Sequence, residues 1–430
     1  MKGLIATSSA VAVAAALGAG GTYLMELLPG DVNGFLAGAL VCCIAFVFWP
    51  WAVLPVGIVG GVIATKVTGE TDVATIVLVH TGILVAGCLA LLARHLTSSA
   101  EDGPRRTIAD GPMALLGAVV AVAALYGLAR GNAAQSVLIA TYHIGIIPAY
   151  FFAATHTLTN PHRLKAAGVL YIAAAGALAA VELTMPGRHG GLLSVLAIPM
   201  LLIAASRVRG WRQGGLISLI ALFTTDVILA SYRAMWLAFG LALLILLVRG
   251  TARVRRSALI GIGTGALFLA TASVASAGLH RRAAVLAEYV DDSSGYRLSE
   301  MYVGLRVFSD RPLIGEGLGQ TTPQVYLPDF MITDVGPTYH VFWVMILANL
   351  GLIGLVVVLW PLWRALRAGW VERDGHALAA LALTCGFVAS ACLAGPTDGH
   401  WELGLLPAII LLAHQVWPCD DSSHLIGVRP

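Results

Sequence analysis

Apolar runs of roughly 16 to 23 residues recur along this chain, and each is long enough to cross a hydrocarbon core about 30 Å thick as an α-helix. Hydrophobic residues make up 58% of the 430 residues and charged residues only 11%, a balance outside the range of ordinary water-soluble domains. Because lipid offers no hydrogen bonds, the backbone has to satisfy its own polar groups, and helices do so within each crossing. The sequence therefore predicts an all-α integral membrane protein with a single polytopic domain over residues 1–430.

The apolar runs predict about 14 transmembrane helices. The second and third runs are short and meet at Trp49-Pro50-Trp51, which leaves a total of about 12 open. Either even number places both termini on the same side of the membrane. The predicted spans are 4–26, 33–49, 51–66, 73–94, 112–129, 134–156, 165–183, 190–205, 214–231, 233–249, 257–277, 340–363, 377–396 and 402–417.

Basic residues concentrate in alternate loops of this topology, which predicts that those loops and both termini are cytoplasmic. The loop over 278–339 then lies on the extracytoplasmic face, although it carries Arg281, Arg282, Arg297, Arg306 and Arg311. Because these arginines run against the usual bias, we interpret them as part of an electropositive site outside the membrane. The basic residues of the cytoplasmic loops are Lys2, Arg94, Arg105, Arg106, Arg163, Lys165, Arg207, Arg209, Arg212, Arg249, Arg253, Arg255, Arg256, Arg364, Arg367 and Arg373.

The long loop contains a predicted short helix over 296–309, which Ser293-Ser294 can cap. Arg297 borders the apolar stripe of this helix and is expected to turn into a cavity, whereas Arg306 faces the other way and is expected to be solvated. The helix itself is expected to lie along the surface of the bundle or the membrane. The stripe consists of Leu298, Met301, Leu305 and Phe308.

Three further polar residues, Arg233, His340 and Asp398, lie at predicted extracytoplasmic ends of spans, and Asp226 lies about two helical turns into the membrane. An arginine at the position of Arg233 is costly unless it is paired, lines a polar cavity or anchors at the interface, and Asp226 is a possible partner. His340 begins a long helix directly after the polar loop, either as a hydrogen-bonded structural residue or as a base. Asp398, between the last two spans, either contributes a carboxylate to the same cavity or lies in a solvated turn.

The sequence predicts no cofactor, metal ion or nucleic-acid partner. It contains no phosphate-binding loop and no zinc-hydrolase motif, and its six cysteines lack metal-ligand spacing. A net charge of +3 carries no nucleic-acid signal, since the basic residues lie in short loops beside the membrane. His80 and His143, within predicted spans, we interpret as structural.

The polar residues form four motifs that occur in order over 231–354. The motifs are Ser231-Tyr232-Arg233, Arg297 in the loop helix, Asp310-Arg311-Pro312-Leu313-Ile314-Gly315-Glu316-Gly317, and His340 leading to Gly351-Leu352-Ile353-Gly354. Their pattern resembles the O-antigen ligase and polymerase superfamily of bacterial membrane glycosyltransferases, the lipopolysaccharide O-antigen ligase branch especially. Two positions depart from the family pattern, Val341 directly after the histidine and Asn349 two residues before the first glycine of the later helix.

The resemblance implies a GT-C-like fold in the bacterial inner membrane and an active site on its extracytoplasmic face. It implies transfer of a glycan from an undecaprenyl-diphosphate carrier to lipid A–core, without a metal ion and with inversion at the anomeric carbon. Arg233, Arg297 and Arg311 would bind the diphosphate, and His340 would act as base toward the acceptor hydroxyl. The implied partners are the carrier-linked donor, a glycan or glycolipid acceptor and the bilayer.

Two other functions stay open at this point. A polymerase that joins carrier-linked repeat units would share the donor, the motifs and the topology of a ligase. A flippase or secondary transporter would show charged residues near the bilayer midplane and broken helices in two related halves. The sequence shows no internal repeat and collects its polar residues outside the spans, which favours the enzyme.

Overall fold

The computed structural model describes residues 42, 45–46, 48–68, 73–97, 106–184, 191–229, 232–275, 297–298, 300–325, 332–335, 339–372, 375–393 and 400–416. The first predicted span, most of the second, and Asp398 lie outside these residues.

Helices account for nearly all of the described chain, which is the fold of an all-α membrane protein. Each predicted span from 51–66 onward corresponds to one helix, with ends that differ by a few residues. The helices are α1 (Val53–Thr68), α2 (Val73–Thr97), α3 (Asp110–Ala129), α4 (Ala134–Thr157), α5 (Pro161–Thr184), α6 (Leu192–Arg207), α7 (Trp211–Leu229), α8 (Arg233–Arg249), α9 (Ala252–Ala275), α10 (300–310), α11 (Phe342–Val371), α12 (Gly375–Ser390) and α13 (Glu402–Val416).

Five of these helices (α3, α4, α5, α7 and α11) are long and apolar enough to cross a membrane, and five more are apolar but shorter. The predicted total of about 12 to 14 crossings stays a prediction. The all-α expectation needs one small addition: β1 (Thr322–Val325) pairs antiparallel with β2 (Ile332–Val335) in the long loop.

The basic ends of several helices meet at one end of the bundle, which we call the basic end. There Arg207 Nη1 lies 3.2 Å from His376 Nε2, and Arg364 Nη1 donates to the Ile108 carbonyl at 2.8 Å. The opposite end, which we call the loop end, is reached along α12. The Phe342 amide donates to the Ala391 carbonyl there at 3.1 Å, and α12 contacts α8 closely because Gly386 has no side chain to meet Ala238. The first residues of α8 and of α11 therefore both lie beside the C-terminal end of α12.

Helix α11 is broken at Gly351, and the turn after Asp310 fills the break. Breaking a helix leaves amide and carbonyl groups without partners, which costs several kcal/mol per group where water is absent. Here the turn supplies each partner through its own backbone, so α11 and the turn form one unit. The four hydrogen bonds run from Glu316 N to Ala348 O (3.0 Å), Gly317 N to Asn349 O (3.1 Å), Leu352 N to Pro312 O (2.9 Å) and Ile353 N to Leu313 O (3.1 Å).

Glycines make this junction possible on both sides. Gly351 has φ 65° and ψ −162°, a backbone conformation essentially confined to glycine, and a Cβ there would lie 2.5 Å from the Leu313 oxygen. Gly315 has φ 67°, and its Cβ would lie 2.5 Å from the carbonyl carbon of Asn349. The two glycine motifs of the sequence thus serve the junction between the turn and the broken helix.

Candidate functional site

Glu300 and His340 form a pair at the loop end. The His340 Nδ1 lies 3.0 and 2.9 Å from the two Glu300 carboxylate oxygens, and the His340 backbone amide donates to Oε2 at 2.9 Å. The Glu300 side chain is 1% exposed and the His340 side chain 47% exposed. A buried carboxylate therefore holds the Nδ1 side of an imidazole ring that is about half exposed.

This arrangement determines where the proton of a neutral His340 ring lies. An ionised carboxylate only accepts hydrogen bonds, so Nδ1 has to carry the N–H that Glu300 receives. The lone pair of the neutral ring is then on Nε2. A histidine held in this tautomer can accept a proton at Nε2, and the carboxylate then stabilises the imidazolium that forms.

The loop helix α10 reaches His340 by packing on the start of α11. Gly304 leaves room for Val344 and Tyr339, and the buried side of the helix carries Glu300, Val303 and Gly304. Leu298 and Leu305 of the predicted apolar stripe are 59% and 42% exposed on the protein, so this part of the stripe does not pack on the bundle. Close approach at Gly304, together with the Glu300 carboxylate, decides which face packs on α11. The expectation that the helix lies along the surface of the bundle or the membrane stays a prediction.

Arg297 and Arg306 differ in exposure along this helix. Residues 297–298 are helical like α10, and Arg297, three positions before Glu300, is half-buried. Side chains three apart on a helix are neighbours, so Arg297 lies on the side that faces His340. Arg306 is exposed, as the helical wheel predicts.

Arg233 is the first residue of α8 and is half-buried at the same end of the bundle. The contacts that α12 makes with α8 near Ala238 and with Phe342 place Arg233 and His340 on neighbouring helix ends. The structure thus joins Glu300 to His340, with Arg297 three positions before Glu300 in the chain and Arg233 at the same end of the bundle.

Arg311 is held in an ion-pair cluster. Its Nε lies 2.9 Å from Glu316 Oε1, and its Nη1 donates to the Tyr126 hydroxyl. Arg130 Nη2 lies 2.9 Å from the other Glu316 oxygen. The Glu316 carboxylate is 10% exposed and bridges the turn to the end of α3, so Arg311 has a structural role beside any contact with substrate.

Replacing Glu316 by glutamine is expected to lower the free energy of unfolding by about 1–2 kcal/mol, because two arginines lose their shared carboxylate. The effect stays moderate since Arg130 and Arg311 are about two-fifths exposed and water screens their charge. Thermal unfolding of the purified protein in detergent measures it, with Asp310→Asn, at an exposed carboxylate on the same turn, as control. Equal midpoints for the two variants would contradict the bridging role.

Asp226 lies apart from the Glu300–His340 pair. Its Oδ2 accepts a hydrogen bond of 2.6 Å from Ser194 Oγ, and it is 2% exposed beside a cavity of about 20 Å³. That volume holds about one water molecule, so the position suits a buried polar link between α6 and α7. The part of the chain that the structure describes gives no contact between Asp226 and His340.

A second histidine–carboxylate pair, His400 with Glu402, lies close to the first. Its Nδ1···Oε1 distance is 2.5 Å, both side chains are nearly fully buried, and the His400 ring packs against Phe342 at 4.4 Å. Exposure distinguishes the pairs, since only the His340 ring can meet a substrate. His80, between the hydroxyls of Tyr142 and Tyr150 at 2.6 and 2.5 Å, has the structural role expected from the sequence.

Sequence reasoning missed Glu300. The signal was its position three residues after Arg297 on one helix, but the apolar stripe directed attention to the other face. It also missed the break at Gly351, because an apolar run with two glycines predicts an unbroken helix as readily as a broken one.

The fold and the site define a polytopic membrane protein that presents a carboxylate-held histidine at one end of its bundle. Residues 216–359 match the family model Wzy_C, described as O-Antigen ligase, and this segment contains Arg233, Arg297, Glu300 and His340. This segment is similar to the O-antigen ligase family, which supports the resemblance drawn from the sequence. Members of that family are membrane glycosyltransferase-like enzymes, both ligases and polymerases. Comparison with curated proteins and with solved structures finds no match.

Proposed function

We propose that this protein transfers a glycan from undecaprenyl diphosphate to a hydroxyl group of an acceptor on the extracytoplasmic face of the bacterial inner membrane. The acceptor oxygen attacks the anomeric carbon, its proton passes to His340 Nε2, and the bond from that carbon to the diphosphate oxygen breaks. Attack from the face opposite the leaving group inverts the configuration. The products are the glycosylated acceptor and undecaprenyl diphosphate.

The observation that carries the proposal is the exposed His340 ring, which the buried Glu300 carboxylate holds at Nδ1. The buried Glu300 carboxylate accepts from Nδ1 and from the backbone amide, so the ring is fixed before substrate arrives. General bases held in place in this way typically contribute about 10²–10⁴-fold to a rate.

In this proposal the arginines stabilise the departing diphosphate. Negative charge develops on the diphosphate as it leaves, and guanidinium groups can bind two phosphate oxygens at once. Arg297 and Arg233 take this role, with the lipid tail dissolved in the bilayer. Arg311 is the weaker candidate, since Glu316 and Tyr126 already engage its guanidinium.

The proposal is tested by incubating the purified protein with undecaprenyl-diphosphate glycan and one of two acceptors. Product with lipid A–core identifies a ligase, and product with a second carrier-linked oligosaccharide identifies a polymerase. Turnover that survives a chelator supports a metal-independent reaction. Movement of the glycolipid across vesicles without any covalent product would instead identify a transporter and overturn the proposal.

Replacing Arg297 by lysine is expected to lower turnover by about 10–10²-fold, because an ammonium group cannot reproduce the planar fork of a guanidinium on two oxygens. The matched control is Arg306→Lys on the same helix, with Arg306→Ala beside it, and both are expected to retain near-normal rates. Initial rates at saturating donor measure the effect. Equal losses of turnover at both positions would show that Arg297 does not bind the diphosphate.

A further inference from the structure

A cavity of about 360 Å³ lies at the basic end of the bundle, among the ends of α6, α8, α9, α11 and α12. Its volume falls within the range of about 300–1,000 Å³ that ligand pockets occupy. It is remote from the Glu300–His340 pair, since α12 runs from Gly375 at this cavity to Ser390 near Phe342, a length of about 24 Å. The cavity is therefore separate from the site of glycan transfer.

Three arginines and one carboxylate line this cavity among the residues that the structure describes. They are Arg207, Arg249 and Arg253 with Glu372, so positive charge is in excess among these residues. Thr251 adds a hydroxyl group that can donate a hydrogen bond, whereas the Ser206 hydroxyl already donates to the Ile203 carbonyl at 2.7 Å. Guanidinium groups beside hydroxyl donors are the groups that proteins use to bind phosphate.

Two details indicate space and capacity for an anion. The Arg249 Nε–H is buried and has no hydrogen-bond acceptor among the described residues, although its Nη2 donates to the Trp370 carbonyl. Gly375 leaves room for Arg207, since a Cβ at that position would lie 2.7 Å from Arg207 Nη2. The cavity thus combines excess positive charge with an unused donor.

We propose that this cavity binds the phosphate group of an anionic ligand, and that the ligand is a membrane phospholipid. Basic pockets between transmembrane helices bind anionic headgroups at the cytoplasmic surface, and the predicted topology places this end of the bundle there. The proposal does not depend on which glycan or acceptor the loop end serves.

The test uses the full chain purified in detergent with a mixture of phosphatidylglycerol, cardiolipin and phosphatidylcholine. Native mass spectrometry is expected to show retained phosphatidylglycerol or cardiolipin on the wild type and roughly tenfold less on the Arg207→Gln/Arg253→Gln double variant. Arg249 is left in place because it also binds the Trp370 carbonyl. The control Arg256→Gln removes an exposed arginine of the same helix, α9, that does not line the cavity, and it is expected to retain wild-type amounts.

A second variant is expected to raise the amount of retained anionic lipid instead of lowering it. Glu372→Gln removes the acidic group found among the described lining residues and is expected to raise anionic-lipid retention about fivefold. Inorganic phosphate distinguishes the source: if it raises the unfolding temperature of the wild type but not of the double variant, and no lipid is retained, the ligand is a free phosphate. Equal retention by the wild type, the double variant and Glu372→Gln, with no response to phosphate, would overturn the proposal.

Discussion

Replacing His340 by alanine is expected to lower the rate of glycan transfer by about 10²–10⁴-fold and to leave the fold intact. The loss is chemical, because the acceptor hydroxyl no longer has a base at Nε2. The backbone amide of residue 340 still donates to Glu300, but the buried carboxylate loses its ring partner, so the unfolding midpoint is expected to fall as well. Single-turnover product formation and thermal unfolding of the same preparation separate the two effects. A variant with wild-type turnover would show that the proton leaves by another route.

Glu300→Gln tests the positioning role behind this base. The glutamine side chain keeps the shape of the glutamate, but it is neutral and has only one oxygen that accepts hydrogen bonds. It therefore holds the His340 ring and the backbone amide less firmly, and we expect turnover to fall about 10–10³-fold. The matched control is Glu402→Gln, which makes the same change in the buried His400 pair. A similar loss of turnover per folded molecule in the control would mean that the two pairs act as one structural unit.

Replacing Gly351 by alanine is expected to produce the largest loss of stability. A side chain at this position meets the Leu313 backbone, and its conformation is essentially forbidden to other residues. The turn after Asp310 can then no longer fit into the break in α11. The four backbone hydrogen bonds between the turn and α11 are therefore lost together. We expect the apparent unfolding midpoint in detergent to fall on the order of 5–10 °C, which corresponds to a few kcal/mol.

Gly240→Ala in α8 is the control for this substitution. Gly240 lies in a regular helix with no neighbouring atom within 4 Å of a Cβ, so alanine should leave the midpoint unchanged or raise it slightly. Fluorescence of the native tryptophans during heating measures both variants. If Gly351→Ala unfolds at the wild-type temperature, the break in α11 does not depend on the turn.

The break also bears on the transporter hypothesis. Transporters use broken helices whose freed backbone groups coordinate substrate near the midplane. Here the groups freed at Gly351 are bonded to residues 312–317. The junction therefore positions the loop end, which is consistent with an enzyme whose chemistry lies outside the spans.

Local properties of the chain were enough to predict the all-α membrane fold and most helix ends, because hydropathy and loop charge act on each segment separately. The order of the four motifs likewise indicated the family and singled out Arg297 and His340. These inferences need no knowledge of which helices touch.

Pairings between distant segments depended on the tertiary structure. Glu300 lies 40 positions from His340, and Arg130 lies 186 positions from Glu316, so only the packing of helix ends decides that they meet. The same packing, through Gly304 and Gly351, turned part of the predicted apolar stripe outward and broke α11. Both effects follow from how closely two backbones approach, and the hydropathy of a single segment holds no information about that distance.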